Sequence, residues 1–208
     1  MPNLKERIKH HVSMLCANCV QKSTIIENVY YLECDSYKVG VNPPDVKNLG
    51  RPFAQTDKWA GKPDYHGWFY FEIDVPKLND NERAEVCIYT SERGWDSANP
   101  QFIVYMDGRT EQGLDTNHRS FVVSEGKHEI YVYAYNGFVM SGSYDSADKC
   151  NKLIDFNALL NVVNIDIENF YVDLVIGYDV LEYSLHQNTR VYASLLETAL
   201  FNVSNKDA

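Results

Sequence analysis

Between Phe69 and Val75 the sequence alternates: Phe69, Phe71, Ile73 and Val75 are apolar, while Tyr70, Glu72 and Asp74 carry polar groups. A period of two suits an extended strand with one buried face; a helix would scatter those four apolar residues around its circumference. The alternation returns in Ala84, Val86 and Ile88, in Phe102, Val104 and Met106, and in Ile130, Val132 and Ala134. The Phe102 run leads into Asp107-Gly108, a pair suited to a tight hairpin because both residues tolerate positive φ. Short strands at this spacing, with turn residues between them, predict a mainly β chain folded as a sandwich. Aromatic residues make up 13% of the chain, fifteen of them tyrosine, a bias that favours pleated, half-buried surfaces.

Helical spacing brackets the strands. Leu4, Ile8, Val12, Leu15, Cys16 and Cys19 recur at three- and four-residue steps and predict an amphipathic helix ending before Ser23. Ile25 to Leu32 reads as a strand, and Asp35 to Pro63, dense in glycine and proline, as one long loop. Phe156 to Ile165 supplies a last strand before Ile167, Phe170, Leu174, Tyr178, Leu181 and Leu185 return to helical spacing, with Asp166 placed as the N-cap. Thr189, Val191, Leu195, Ala199 and Val203 predict a second helix. The expected organisation is a helix over 1–22, a β-sandwich over 23–165 and a helical linker over 166–208 whose polar end, NVSNKDA, reads as a lead into a further domain.

A formal net charge of −10 argues against nucleic acid and anionic membrane as partners, since both are bound through clustered Lys and Arg. No segment approaches the roughly 18 consecutive apolar residues of a membrane span. Five cysteines form an odd set, and MPNLKERIKHH has no apolar stretch followed by a cleavage site, so the expected compartment is the cytoplasm. The triplet Asn202-Val203-Ser204 is then a chance glycosylation match.

The segment GWDSANPQFIVYMDGRTEQGLDTNH, from Gly94 to His118, resembles the amino-terminal domain of cytosolic and bacterial α-mannosidases of glycoside hydrolase family 38. Gly94, Trp95, Asp96, Asn99, Pro100, Gln101, Phe102, Gln112, Gly113, Leu114, Asp115, Asn117 and His118 fall on that pattern. The likeness extends upstream through Arg51-Pro52-Phe53, Trp59-Ala60-Gly61-Lys62 and His66-Gly67-Trp68-Phe69. Downstream it reaches Phe170-Tyr171-Val172-Asp173-Leu174, which resembles the helix linking that domain to the catalytic one. The first thirty residues and 141–150 match less clearly. The resemblance implies a galactose-binding-like jelly roll with an N-terminal helix and two C-terminal helices. It also implies a docking role beside a catalytic domain of the same polypeptide and zinc, or another divalent metal, in that catalytic domain, and it makes a homo-oligomer plausible.

Catalysis is not implied for these 208 residues. Family 38 enzymes hold zinc partly through a His-x-His-x-Asp type of motif and use an aspartate nucleophile. The six histidines here, His10, His11, His66, His118, His128 and His186, include no pair one residue apart. A retaining mechanism also needs two carboxyl groups about 5 Å apart, and Glu72 and Asp74 sit on the outward face of a strand where charge is solvated. No catalytic residue, metal ligand or cofactor is therefore expected in the chain.

Candidate contacts for a mannose-type glycan, or for the catalytic domain, are Trp95, Asp96, Asn99, Gln101, Asp115, Asn117 and His118, where amides and carboxylates gather near an aromatic ring. The plainer role for the same residues is loop closure, with Asn and Asp bonding nearby backbone. A stand-alone carbohydrate-binding module, with or without calcium, is the alternative to docking. Cys16-Ala17-Asn18-Cys19 has metal-motif spacing, yet both cysteines fall within a helix and no second close pair follows, so burial as small hydrophobes is expected instead. Trp59, Asp64 and His66 read either as a polar patch near the long loop or as an aromatic loop packed over the sandwich edge, and packing is the expected role.

Overall fold

A computed structural model describes residues 4–35, 42–62, 64–92, 94–137, 152–183, 191 and 193–198. In chain order the elements are α1 (Leu4–Cys19), β1 (Val20–Ile25), β2 (Val29–Cys34), α2 (Val46–Leu49), β3 (Arg51–Phe53), β4 (Trp59–Ala60), β5 (Tyr65–Val75), β6 (Glu82–Tyr89), β7 (Gln101–Met106), β8 (Arg109–Leu114), β9 (Ser120–Val123), β10 (Gly126–Asn136), β11 (Leu153–Ile154), β12 (Asn157–Asn164) and α3 (Ile165–Tyr183). Residues 193–198 are also helical. The chain is mainly β with helices at both ends. Leu185, Thr189, Ala199, Val203, the glycosylation triplet and the 141–150 stretch lie outside the described residues.

The strands form a six-stranded sheet in the order β3-β2-β5-β10-β7-β8, a four-stranded sheet in the order β1-β12-β6-β9, and the short pair β11-β4. The period-two residues do what their spacing predicts. Phe69, Phe71, Ile73 and Val75 meet Phe102, Val104, Ile130, Val132 and Ala134 on one face of the larger sheet, and they share a core with Ala84, Val86, Ile88, Phe121 and Val123 of the smaller one. Phe69 and Phe156 stack with ring centroids 3.7 Å apart and 4° between planes. Trp59, 1% exposed, closes one end of this core against Phe69 and Phe102.

Three expectations about elements are corrected, and two strands appear that the sequence pattern does not predict. The strand read over Ile25 to Leu32 is broken: β1 and β2 belong to different sheets, and the chain crosses between them through Asn28 at φ 56°, a conformation asparagine tolerates. The loop read over Asp35 to Pro63 holds three elements. Within it, the Asp45 side chain accepts hydrogen bonds from the Asn48 backbone N–H at 3.3 Å and from the Asn48 amide at 2.8 Å, which seeds α2 and buries Val46. Pro52 is tolerated in β3 because that strand lies at the sheet edge. Strands β8 and β9 were not legible, since RTEQGL and SFVV show little or no alternation and owe their conformation to pairing with β7 and β6. Finally, Asn164 rather than Asp166 caps α3: its Oδ1 accepts from the Ile167 N–H at 3.0 Å, and Asp166 lies in the first turn.

The chain divides into two compact units. The larger spans Ser23–Asn79 and Arg83–Val162 and contains the core just described. The smaller comprises Met1–Lys22, Asp80–Glu82 and Val163–Ala208, so the first helix and the closing helix belong to one unit. There Ile8, 0% exposed, and Leu174, 2% exposed, are the buried centre, with Leu4, Val12, Leu15, Tyr178, Ala193 and Leu196 around them. The expected burial of Cys16 and Cys19 is corrected: Cys16 is exposed and Cys19 only part-buried, because Leu4, Ile8, Val12 and Leu15 form the packed side of α1. Among the described residues no three His, Cys, Asp or Glu side chains are grouped to hold a metal ion.

Candidate functional site

The outward face of the six-stranded sheet is not the solvated surface that period two usually leaves. In β5 the residues between the core positions are His66, Trp68, Tyr70, Glu72 and Asp74. Antiparallel register sets them beside Tyr135, Tyr133, Tyr131, Glu129 and Lys127 of β10. Beyond β10, Gln101, Ile103 and Tyr105 of β7 complete the same rows. Directly opposed side chains in antiparallel strands lie close enough to pack as pairs. The result is an aromatic layer in which Trp68 lies 5.5 Å from Tyr105 and 5.3 Å from Tyr133, while Tyr70 lies 4.7 Å from Tyr131. Each such ring pair is worth about 0.5–1.5 kcal/mol beyond its buried area.

Two recesses open on this face. The first, about 500 Å³, is lined by Asp64, His66, Gln101, Ile103, Gly113, Asp115, Tyr133 and Tyr135, with Phe102 and Leu114 of the same β7–β8 pair also contributing. Its walls are rings: His66 lies 4.9 Å from Tyr135 with 32° between planes, and is stacked on Tyr133 at 6.0 Å. A hydrogen-bond chain fixes the imidazole. Nδ1 meets the Tyr133 hydroxyl at 2.5 Å, and Nε2 meets Asp64 Oδ1 at 3.2 Å. For a neutral ring, Nε2–H donating to the carboxylate and Nδ1 accepting from the phenol satisfies both contacts. The second recess, about 670 Å³, is ringed by charge, including Lys47, Glu72, Asp107, Lys127, His128 and Glu129. There Lys47 pairs with Glu72 at 2.6 Å and Tyr70 donates to the same carboxylate at 2.6 Å; the Lys47 contact first, then the Tyr70 hydroxyl, holds Glu72 below the usual carboxylate range.

The residues singled out in the sequence divide into two groups. Gln101 and Asp115 line the first recess. Trp95 turns inward instead: its indole N–H donates to the Pro100 carbonyl at 3.0 Å and its ring packs edge-on against Phe102 at 5.2 Å. Asp96 is 7% exposed and committed locally, accepting from the Ala98 N–H at 2.8 Å and from Lys152 Nζ at 2.6 Å, while its own N–H donates to Thr90 Oγ1 at 2.7 Å. Asn99 ends that turn at φ 53°, its N–H donating to the Asp96 carbonyl. Asn117 and His118 form a loop closed by Asp115, whose Oδ1 accepts their two backbone N–H groups at 2.8 and 2.9 Å and approaches His118 Nδ1 at 3.1 Å. These contacts, the Asn117 N–H foremost, keep the Asp115 carboxyl ionised below its ordinary range.

Asp64, His66, Gly113, Tyr133 and Tyr135 line the same recess as Gln101 and Asp115. Asp64 and His66 were read from sequence as packing with Trp59, but Trp59 faces the core and the other two face the recess. The alternating tyrosines of YVYAYN were the available signal for Tyr133 and Tyr135, since the core claims only Ile130, Val132 and Ala134 of that strand.

No protein-family model matches the sequence, and no curated protein matches it. Among solved structures, the chain is similar to a β-glucuronidase of Bacteroides uniformis (TM-score 0.45, 12% identity, over 68% of this chain and 18% of that one). It is also similar to a β-glucuronidase of an uncultured Clostridium sp. (TM-score 0.40, 12% identity, over 69% of this chain and 29% of that one). A third similar structure is a xylan-binding module, CBM15 (TM-score 0.33, 8% identity, over 67% of this chain and 95% of that one). The chain spans less than a third of the length of either glucuronidase.

Proposed function

We propose that this chain is a non-catalytic accessory domain of a glycoside hydrolase acting on α-mannosides, and that its first task is to dock the catalytic domain. The observation that carries the docking is on α3. Val172, Ile176 and Val180 follow at four-residue steps and are 44%, 56% and 40% exposed. A part-exposed apolar stripe on a helix is a candidate surface for a partner. The mannosidase assignment rests on the Gly94–His118 segment and on Phe170–Leu174, the stretch in which Val172 lies, which resembles the linking helix of family 38.

The test has two arms. The purified chain, supplied with zinc, is assayed on 4-methylumbelliferyl α-D-mannopyranoside, and it is titrated calorimetrically against a family 38 α-mannosidase catalytic domain. No turnover by the chain alone is expected, together with complex formation at micromolar concentration that Ile176→Lys weakens at least tenfold. Turnover by the chain alone overturns the accessory role, and absence of a complex overturns the docking.

A second reading, direct recognition of a glycan, is favoured by the ring-walled recess on the sheet's outer face. Stacking surfaces beside a side-chain amide and carboxylates are what a sugar ring and its hydroxyls need, and the volume lies in the range of small-molecule sites.

A further inference from the structure

Gly113 opens the way to a more specific assignment. It lies in β8 opposite Ile103, beside the recess, and it is exposed. Glycine in a strand weakens it, so its presence calls for a reason. The backbone supplies none. Gly113 is not among the residues at positive φ, and a Cβ added there would approach nothing more closely than the Phe102 carbonyl oxygen at 3.8 Å. By contrast, a Cβ on Gly67 would lie 2.5 Å from the Tyr31 ring, so that glycine is explained by packing. What the missing side chain at Gly113 does leave is open space beside Ile103, in the recess that Tyr135, His66 and Asp115 also line. A strand glycine commonly marks a bulge, here the register shift at Glu111 two residues earlier, or the close approach of a ligand, which the opening over Gly113 favours.

The lining limits what the ligand can be. Its charged groups are carboxylates, Asp64 and Asp115, and neither Lys nor Arg lines it. Asp64, 76% exposed, and Asp115, 41% exposed, place two negative charges at the rim, so an anion meets solvent-screened repulsion and no cationic partner. Carboxylates and the Gln101 carbonyl are acceptors suited to hydroxyl donors, the Gln101 NH₂ is a donor, and the rings offer apolar planes. We propose that the recess over Gly113 is a binding site for a neutral pyranose unit of a glycan, with Tyr135, backed by the His66 ring, as the stacking plane and Gln101 and Asp115 as hydroxyl partners, and that it discriminates against uronic acids. The inference rests on the glycan-recognition reading and is independent of the docking surface on α3.

The test is an NMR titration of the chain, following the Gln101 side-chain amide and the His66 ring, with methyl α-D-mannopyranoside, methyl α-D-glucopyranoside, methyl β-D-glucuronide and tetramethylammonium chloride. Each ligand is carried to about 50 mM, well above the ~1 mM dissociation constant of a weak specific site. Saturable shifts at both groups with at least one neutral glycoside are expected, with at least tenfold weaker binding of the glucuronide. Gly113→Leu, which fills the opening without touching the core, should weaken the neutral sugar at least tenfold while thermal unfolding stays near that of the parent chain. Tyr135→Ala should do the same through loss of the stacking plane. Glucuronide binding as tight as the neutral sugars overturns the charge argument while leaving glycan recognition standing. Binding of tetramethylammonium alone, no saturable shift with any probe, or full binding by a folded Gly113→Leu variant overturns the site. The calorimetric docking arm should be indifferent to Gly113→Leu, which separates failure of this site from failure of the docking role.

Discussion

At the scale of single residues, most chemistry the sequence advertised is spent on holding loops, and Asp107 shows how. Asp107 and Gly108 take positive φ, 51° and 78°, as the hairpin requires, and that much was legible from the dipeptide alone. Its second role was not legible, because it depends on a residue 21 positions away. Asp107 Oδ2 pairs with His128 Nδ1 at 2.7 Å, and Oδ1 accepts the Glu129 N–H at 2.9 Å. The hydrogen bond to Asp107 raises the His128 pKa above its ordinary 6.5, and the same bond lowers that of Asp107 below 3.8. A raised histidine contributes stability that is complete below about pH 6.5 and disappears as pH climbs through the folded value. A lowered aspartate contributes above its ordinary value and loses that contribution as pH falls through the folded one. Both conditions hold near pH 6. Asp107→Asn keeps a side chain that accepts positive φ and removes the charge. Its melting temperature should therefore fall below the parent's at pH 6 and approach it at pH 9, with the gap narrowing in 1 M salt because Asp107 is half exposed. A gap that does not change with pH would mean that the turn, not the ion pair, was lost.

At the scale of elements, period two identified the strands that face the core on one side and failed where another influence set the conformation. Strands β5, β6, β7 and β10 alternate in sequence because the sandwich core requires it. Strands β8 and β3 lie at the sheet edges and carry no core-wide pattern. On the outer face of β5, Glu72 and Asp74 are solvated as expected, but Trp68 and Tyr70 are covered by neighbours that register, rather than local sequence, puts there; they are 5% and 2% exposed. This is also why only Gln101 and Asp115 of the sequence-derived candidates reached the recess: spacing along one segment finds loop neighbours, whereas a recess is assembled across strands. Helix ends have a similar difficulty, since Asn164 and Asp166 are equally good caps by residue type. The hydrogen bond from the Ile167 N–H to Asn164 decides between them. Asn164→Ala should destabilise the smaller unit by about 1 kcal/mol, the usual cost of a lost cap. Asp166→Ala should cost less, roughly 0.3–1 kcal/mol from charge near the helix N-terminus. Urea unfolding followed by helical circular dichroism measures both, and a larger loss for Asp166 would return the cap to that residue.

At the scale of the whole molecule, charge and exposed apolar surface act against each other. The net charge of −10 keeps copies apart at neutral pH, and the sequence isoelectric point of about 5.0 marks where that repulsion vanishes. Charge was fully legible from composition. The apolar stripe was not, because Val172, Ile176 and Val180 fit a helical period whether their face is covered or bare, and only the packing of Leu174 and Tyr178 around Ile8 shows which side is taken. Light scattering against pH should show a solubility minimum near pH 5, where a stripe of three branched side chains meets no electrostatic opposition. The minimum distinguishes its two causes. If charge neutrality alone drives association, Ile176→Lys should move the minimum slightly upward in pH and leave its depth unchanged. If the stripe is the contact, the same substitution makes the minimum shallower and raises solubility at its floor, because a single lysine interrupts the apolar row between Val172 and Val180. The second outcome is expected, and with it a loss of docking by the same variant at neutral pH.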